Sequence, residues 1–437
     1  MATIAAPPAA VPQERQPTDW ASRDMQARIA ARYRAERNFR RMGAGALLVA
    51  AGFLAFLLFT IVRDGWTGFL RTEARVEVMF DAATLGVDPA TVRGPDGQAV
   101  LARADYIALM NQAAEQLGPA SDTLSDAAWL ALRDRLMADP TLLGRTEVLW
   151  VPVRSGIDLL AKGKYDLDAP VESRGISDRE VSDWRWLEGE GRLRTVFNQA
   201  FIGNADSTEP ELAGIGGAAL GSLFTLLVTI LIAFPLGVLS AAWLEEFAPR
   251  GRLAEIIELS INNLAAVPSI IFGLLGLAFF LNYAGLPRSS PLVGGITLAL
   301  MIMPVIVIAS RVAIQAVPPS IRDAALGIGA SPIQVVFQHV VPLALPGIMT
   351  GTIIGIARAL GETAPLLLIG MRAFVTDTPQ GIAAPATVLP MQVFLWSDDV
   401  QRGFVEKTSA AIIVLLIILI AMNSVAIYLR NRFERRW

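Results

Sequence analysis

Two charged residues lie where the surrounding sequence gives them no solvent. In "IARALGETAPLLLIG", residues 356 to 370, Arg358 and Glu362 interrupt a run otherwise apolar enough to cross a membrane. A charge deep in a bilayer costs at least about 2.5–3.5 kcal/mol on insertion scales, so such groups face protein or water. Four positions apart, the two would share one helix face, and a salt bridge between them could simply hold helices together. Alternatively, Arg358 offers a planar, permanently charged fork to a passing oxyanion, with Thr363 beside the same path. Glu362 would then orient Arg358 and keep anion binding weak enough for release. Residue types alone leave both readings open and name no anion. Pro365 predicts a kink beside the pair, because it removes the N–H that would bond to Gly361 and crowds that turn; Pro268 predicts another.

Such a pair needs spans to hold it. The chain has 437 residues, of which 53% are hydrophobic and 18% charged, and its mean hydropathy is +0.48. That composition belongs in a bilayer. Windows of roughly 20 apolar residues, enough to cross about 30 Å of hydrocarbon, lie near 42–62, 213–243, 256–282, 291–313, 346–371 and 409–429. Arginines cluster before the first (Arg34, Arg37, Arg40, Arg41) and after the last (Arg430, Arg432, Arg435, Arg436), with Arg250, Arg252, Arg311 and Arg322 on the same side of an even number of crossings. Because such residues stay on the cytoplasmic side, both termini are expected there, in a multi-pass protein of the cytoplasmic membrane. The first run lacks a small-residue cleavage site and is expected to remain as an anchor.

Composition also excludes chemistry. Net charge is −3, which gives no case for nucleic acid; cysteine is absent, and His339 is the single histidine. Disulfides, thiolate metal sites, a histidine-rich metal centre and a serine–histidine triad all drop out, and no metal site is expected. His339 is expected to be exposed or at an interface.

The expected layout is a cytoplasmic tail and basic helix over 1–41, with 1–20 disordered, then a span over 42–62. An external α+β insert follows over 63–211, then a transmembrane domain over 212–430 and a short cytoplasmic tail over 431–437. In the insert, "ARVEVMF" and "TEVLWVPV" read as strands, whereas "DYIALMNQAAEQL", "SDAAWLALRDRLMAD" and "SDWRWLEGEGRLRTVFNQAF" read as helices. Ser177 and Glu180 have capping-box spacing. Trp184 and Trp186 are read as core or interface residues, and no catalytic constellation is visible.

The loop over 317–346 reads "VPPSIRDAALGIGASPIQVVFQHVVPLALP", which spells two short helices. Ser320 can N-cap the first, with Asp323 three positions later near the exposed N–H groups. Gly327 and Gly329 let the chain turn. Ser331 can cap the second helix, with Pro332 at its first position and Gln334 completing a capping box; Pro342 and Pro346 mark the return to the membrane.

"RDAALGIGASPIQVVFQHVVPLALPG" resembles the EAA loop of ABC-importer permeases, with Asp323, Ala324, Ala325 and Gly329 at the family's positions and aspartate replacing its glutamate. The resemblance implies that this loop, with Ser320 and Arg322, fits a cleft on an ATP-hydrolysing subunit. "GIMTGTIIGIARALGETAPLLLIG" resembles the more specific signature of phosphate-specific permeases of the PstA type, and the likeness extends over roughly 212–437. It implies a six-span type I importer fold and assigns Arg358 and Glu362 to phosphate passage. The implied partners are a second permease of the PstC type, an ATPase dimer of the PstB type, a periplasmic binding protein of the PstS type and membrane lipid. The chain has no GxxxxGK[ST] loop, so it is expected to bind no cofactor and to catalyse nothing itself, ATP and Mg residing on the partner ATPase. A permease for sulfate, molybdate or phosphonate, or a membrane sensor with an external ligand domain, remains the alternative.

Overall fold

The computed structural model describes residues 20–249 and 251–433. The tail expected to be disordered (apart from Trp20), Arg250, Arg435 and Arg436 lie outside these residues. The chain divides into two units at residues 60 and 61. The first carries most of α1 (Arg23–Gly65), in which a basic stretch runs into an apolar one without a break. The exposed Arg40–Glu36 pair at 2.6 Å, one turn apart, contributes little to its stability.

The second unit begins with a three-stranded antiparallel sheet, in the order β2-β1-β3, formed by β1 (Leu70–Met79), β2 (Thr146–Pro152) and β3 (Leu193–Phe197). Along β1 the two-residue period buries Ala74, Val76 and Val78 and exposes Arg75, Glu77 and Met79. One core unites these residues with α2 (Tyr106–Glu115), α3 (Trp129–Ala138), α4 (Ser155–Ala161) and α5 (Asp178–Gly189). Ser177 and Glu180 form the expected capping box at the start of α5, and Trp184 and Trp186 pack against the core. One expectation fails here. Helix does not continue through "RLRTVF", because Gly189 ends α5, Gly191 turns the chain at φ 61°, and the β-branched stretch beyond it pairs with β1.

The helical bundle follows: α6 (Gly216–Ala242), α7 (Arg252–Ala265), α8 (Ser269–Leu275), α9 (Pro291–Gln315), α10 (Pro319–Gly327), α11 (Val341–Gly361), α12 (Ala364–Leu368), α13 (Leu389–Ser397) and α14 (Arg402–Phe433). Among the described residues, five helices are long and apolar enough to span a membrane, or six if α7 and α8 count as one broken span. The expected single span over 256–282 is therefore corrected. Its halves meet at 103°. Pro268 pushes Val267 out of helical geometry and itself precedes the first turn of α8, so it starts a new helix where a kink had been expected.

Packing shows that the broken pair still makes one net traversal. A Cβ on Gly295 of α9 would lie 2.5 Å from Val228 of α6, and one on Gly237 of α6 would lie 2.8 Å from Ile306 of α9. Contacts therefore advance together along both helices, which run parallel, and the chain between them must return to its starting end. By contrast, Gly347 meets Ala313 and Gly351 meets Ala309, so α9 and α11 are antiparallel. Small residues let these backbones approach where lipid supplies no hydrophobic drive.

At Gly351 an added Cβ would lie only 2.1 Å from the Ala309 methyl. Overpacking of this kind typically costs about 1–3 kcal/mol. Gly351→Ala should lower the melting temperature of the detergent-purified chain, and adding Ala309→Gly should restore most of the loss; absence of rescue would contradict the contact. A second expectation concerns pH. Glu211 is buried with neither carboxylate oxygen hydrogen-bonded, and burial pushes its pKa up to about 7 from the ordinary 4.5. The fold thus favours the protonated form, a stabilisation fully present below the ordinary pKa and lost as pH rises through 7. The shift corresponds to on the order of 3 kcal/mol. Glu211→Gln should raise the melting temperature at pH 8 and leave it unchanged near pH 4; equal effects at both would exclude this cause.

Candidate functional site

The expected elbow forms, and its second arm continues into the bundle. Ser331 caps it, with the Gln334 side chain accepting from the Ser331 N–H at 2.9 Å and Pro332 in the first turn. Pro332–Gln334, one wide turn over Val335–Val340 and α11 then form a continuous 30-residue helical element, Pro332–Gly361, about 45 Å long at 1.5 Å per residue. Pro342 and Pro346 both lie inside this continuous element and each removes one N–H from its ladder; the wide turn ends two residues before Pro342, and the helix runs on through Pro346.

At its far end the helix stops earlier than expected. Gly361 is the last helical residue, and Glu362 is extended at φ −81° and ψ 124°. The pair therefore does not share one helix face within a span over 346–371. Arg358 sits in the last turn of α11, and Glu362 follows its end. Pro365 is the physical cause. Its ring would strike the Gly361 carbonyl in a continuous helix, and the clash is avoided by ending the helix, which leaves Pro365 in the first turn of α12, its N–H dispensable there. Thr363 caps α12 by position, without a side-chain capping bond.

Arg358 Nε lies 3.5 Å from Glu362 Oε1, with the side chains 43% and 20% exposed. The guanidinium also lies at the negative end of the α11 dipole. Ala359 and Leu360 are buried in the bundle core, whereas Ile354, one turn below, is exposed like Arg358. The register of Gly347 on Ala313 and Gly351 on Ala309 places Arg358 level with about Ile302, near the middle of α9. The pair is thus at mid-depth on an outward face. Here α8 packs on the start of α12: a Cβ on Gly273 of α8 would lie 2.6 Å from Pro365 Cα.

The elbow residues separate into inward and outward sets. Ser320 does not cap α10; the helix starts one residue earlier, at Pro319 after Pro318, which places Asp323 beyond the first turn. Pro318 at the cap position has no side-chain acceptor, and Pro319 at the first helical position has a preset φ and lacks an N–H that would go unpaired there anyway. Gly329 adopts φ 93°, and the Gly329 and Ala330 N–H groups bond to the Leu326 and Ala325 carbonyls in a Schellman closure. Ala325 is buried, and Arg322 turns inward, donating to Glu246 Oε1 at 2.6 Å and to the Ile314 and Val317 carbonyls at 3.0 and 2.7 Å. Ser320, Asp323, Ala324 and Gly329 face outward beside Leu326, Ile333 and Phe337, and Ile328 is 84% exposed. A cleft of about 420 Å³ runs between α10 and the second arm, with the half-buried His339 in its wall.

A membrane protein with a helical elbow at one end and a charged pair at mid-depth narrows the comparison with known proteins. A family model described as "Binding-protein-dependent transport system inner membrane component" matches residues 233–437, and a domain of unknown function (DUF3333) matches 26–171. The probable ABC transporter permease protein YqgI of Bacillus subtilis (strain 168) is 30% identical over 265 residues, covering 58% of this chain and 86% of that protein. The phosphate transport system permease protein PstA 1 of Mycobacterium tuberculosis (strain CDC 1551 / Oshkosh) is 30% identical over 269 residues, covering 61% and 82%. The chain belongs to the PstA-type ABC transporter permeases. It is one of the longer members, with an extra domain before the shared bundle. Among solved structures, an inward-facing form of the MetNI methionine ABC transporter aligns with 49% of this permease and 95% of its own chain, at 18% identity and TM-score 0.40.

Sequence reasoning missed Glu245 and Glu246, which end the first span of the bundle. Glu245 accepts from Arg311 at 2.5 Å, Arg311 also pairs with Glu258 at 3.1 Å, and Glu246 holds Arg322. The available signal was two adjacent acids at a helix end, opposite arginines 66 and 76 positions later. Arg322→Ala would free Glu246 and two carbonyls, at a cost of about 1.5–3 kcal/mol. Limited proteolysis of the permease should then cut faster within residues 317–331, and an unchanged rate would show that Arg322 does not anchor the elbow.

Proposed function

We propose that this permease forms half of the translocation pathway of an ATP-driven inorganic phosphate importer. One observation carries the reading: Arg358 is 43% exposed at mid-depth of a hydrophobic bundle. Lipid is an expensive neighbour for a guanidinium, so a second protein surface must cover it. A second permease, of the PstC type, supplies that surface, and the two together enclose a water-lined path. Phosphate suits the guanidinium fork, and the Mycobacterium relative is named for phosphate transport.

The elbow is the coupling surface. Asp323 and Ala324 present it beside exposed Ile328 and Ile333, an apolar knob fit for a cleft on an ATPase dimer of the PstB type. The element from Pro332 to Gly361 then carries movement of the knob to Arg358. In this arrangement both termini and the elbow are cytoplasmic, the sheet domain is periplasmic, and a binding protein of the PstS type delivers phosphate at the sheet-domain end.

Arg358→Ala should leave complex assembly and ATP hydrolysis near wild type while lowering phosphate uptake about 100-fold, the equivalent of roughly 2.7 kcal/mol of lost anion binding. Arg358→Lys should recover only part of the loss, because a point charge replaces the fork. Normal transport per assembled complex with a lowered melting temperature would make the pair purely structural.

A further inference from the structure

The sheet domain joins the last span through a buried ionic cluster that the transport reading does not use. Lys162 Nζ donates to Asp158 Oδ2 at 2.7 Å, to the Leu70 carbonyl at 2.8 Å and to Glu406 Oε2 at 3.3 Å. Asp158 Oδ1 accepts from the Thr72 N–H at 2.8 Å, and Lys407 Nζ donates to the Gly68 carbonyl at 3.2 Å. Beside the cluster opens a cavity of about 320 Å³, lined by Asp64, Leu159, Lys164, Tyr165, Arg402 and Glu406, with Val405 at its side. This volume lies in the ligand range of about 300–1,000 Å³.

Its level in the molecule is defined by sequence and packing together. Gly65 packs on Ser409 and Gly68 on Ala410, where the unbroken apolar run of α14 begins. In the chain before Gly65, apolar residues end at Val62 and give way to Arg63 and Asp64, and Trp66 is exposed. Loss of apolar character on both segments, with an exposed tryptophan, marks the polar boundary of a bilayer.

The wall carries charges of both signs. Lys164, which also donates to the Asp64 carbonyl at 3.2 Å, and Arg402 are cationic, and Asp64, whose Oδ1 accepts from Arg63 at 3.0 Å, and Glu406 are anionic. Arg402 is fixed by the Arg174 carbonyl at 3.0 Å and by the Tyr165 ring at 5.6 Å. Glu406 is 5% exposed, with Oε2 paired to Lys162 and Oε1 lacking any hydrogen-bond partner. A buried carboxylate oxygen without a donor is a rare and costly arrangement.

We infer that this cavity binds the headgroup of a zwitterionic phospholipid carrying a primary ammonium, of the phosphatidylethanolamine class. Its phosphate rests on Lys164 and Arg402. Its ammonium donates to Glu406 and Asp64, and the glycerol and acyl chains pass Val405 onto the apolar face of α14. A quaternary ammonium has no N–H to donate to Glu406, and an anionic headgroup brings no cation to the two carboxylates. The bound lipid would tie the sheet domain to the last span, whichever anion the importer carries.

The test is native mass spectrometry of the full-length permease purified in detergent, titrated separately with phosphatidylethanolamine, phosphatidylcholine and phosphatidylglycerol. Phosphatidylethanolamine should be retained roughly tenfold better than either, the equivalent of one charge-assisted contact. Lys164→Glu and Val405→Trp, both at exposed positions and checked for unchanged melting, should erase the preference. Equal retention of the three lipids, a preference for phosphatidylglycerol, or an unaltered preference in both folded variants would overturn the inference. Full displacement by soluble phosphoethanolamine at the same concentration as the lipid would also overturn it, assigning the cavity to a soluble ligand.

Discussion

The seam between α9 and α11 governs the structure. Within a bilayer, helices gain nothing by hiding apolar surface from lipid, and association rests on close packing. Gly347, Gly351 and Gly355 bring α11 against Ala313, Ala309 and Ile302 with no room for another carbon at the first two sites. The tight seam fixes the register of α11, and with it the depth of Arg358. The same element reaches the elbow through the capped turn at Ser331. A continuous helical element thus connects the outward knob to the charged pair, as the proposed coupling to an ATPase requires.

The charged groups fall into two physical kinds. At the ends of the bundle the ion pairs are short and anchored on several sides. Arg322 holds Glu246 and two carbonyls, and Lys162 joins Asp158, Glu406 and the Leu70 carbonyl. These pairs tie the elbow to α6 and α9, and the sheet domain to α14. The mid-depth pair is different: a single 3.5 Å contact with an exposed guanidinium. Multiply anchored pairs hold geometry, whereas a loosely held arginine can exchange its carboxylate for a passing anion.

Much of this was legible in the sequence because it depends on local chemistry. Hydropathy located the spans, capping chemistry defined the turns at Ser177 and Ser331, and the charged pair in an apolar run identified the outlier. Where competing local signals meet, the sequence reads less well. Ser320 looked like a cap, but two preceding prolines start the helix before it. Pro365 and Pro268 were expected to bend helices and instead separate them, because whether a proline kinks or ends a helix depends on what packs behind it. Here Gly273 of α8 lies against Pro365, so the short helix after one break packs on the short helix after the other. The strand at 193–197 followed helix-compatible residues, and beyond the turn at Gly191 it is held by pairing with β1. The Glu245 and Glu246 pairings span 66 and 76 residues and depend on tertiary contact that periodicity cannot register.

The central claim is that this chain supplies part of a selective phosphate path driven by a separate ATPase. The most direct measurement is ATP-dependent uptake of labelled phosphate into vesicles carrying the permease with its partner subunits and binding protein, with and without excess sulfate. The account predicts uptake that requires this chain and is unaffected by sulfate. An assembled, ATP-hydrolysing complex that moves no phosphate, or whose uptake sulfate abolishes, would contradict it.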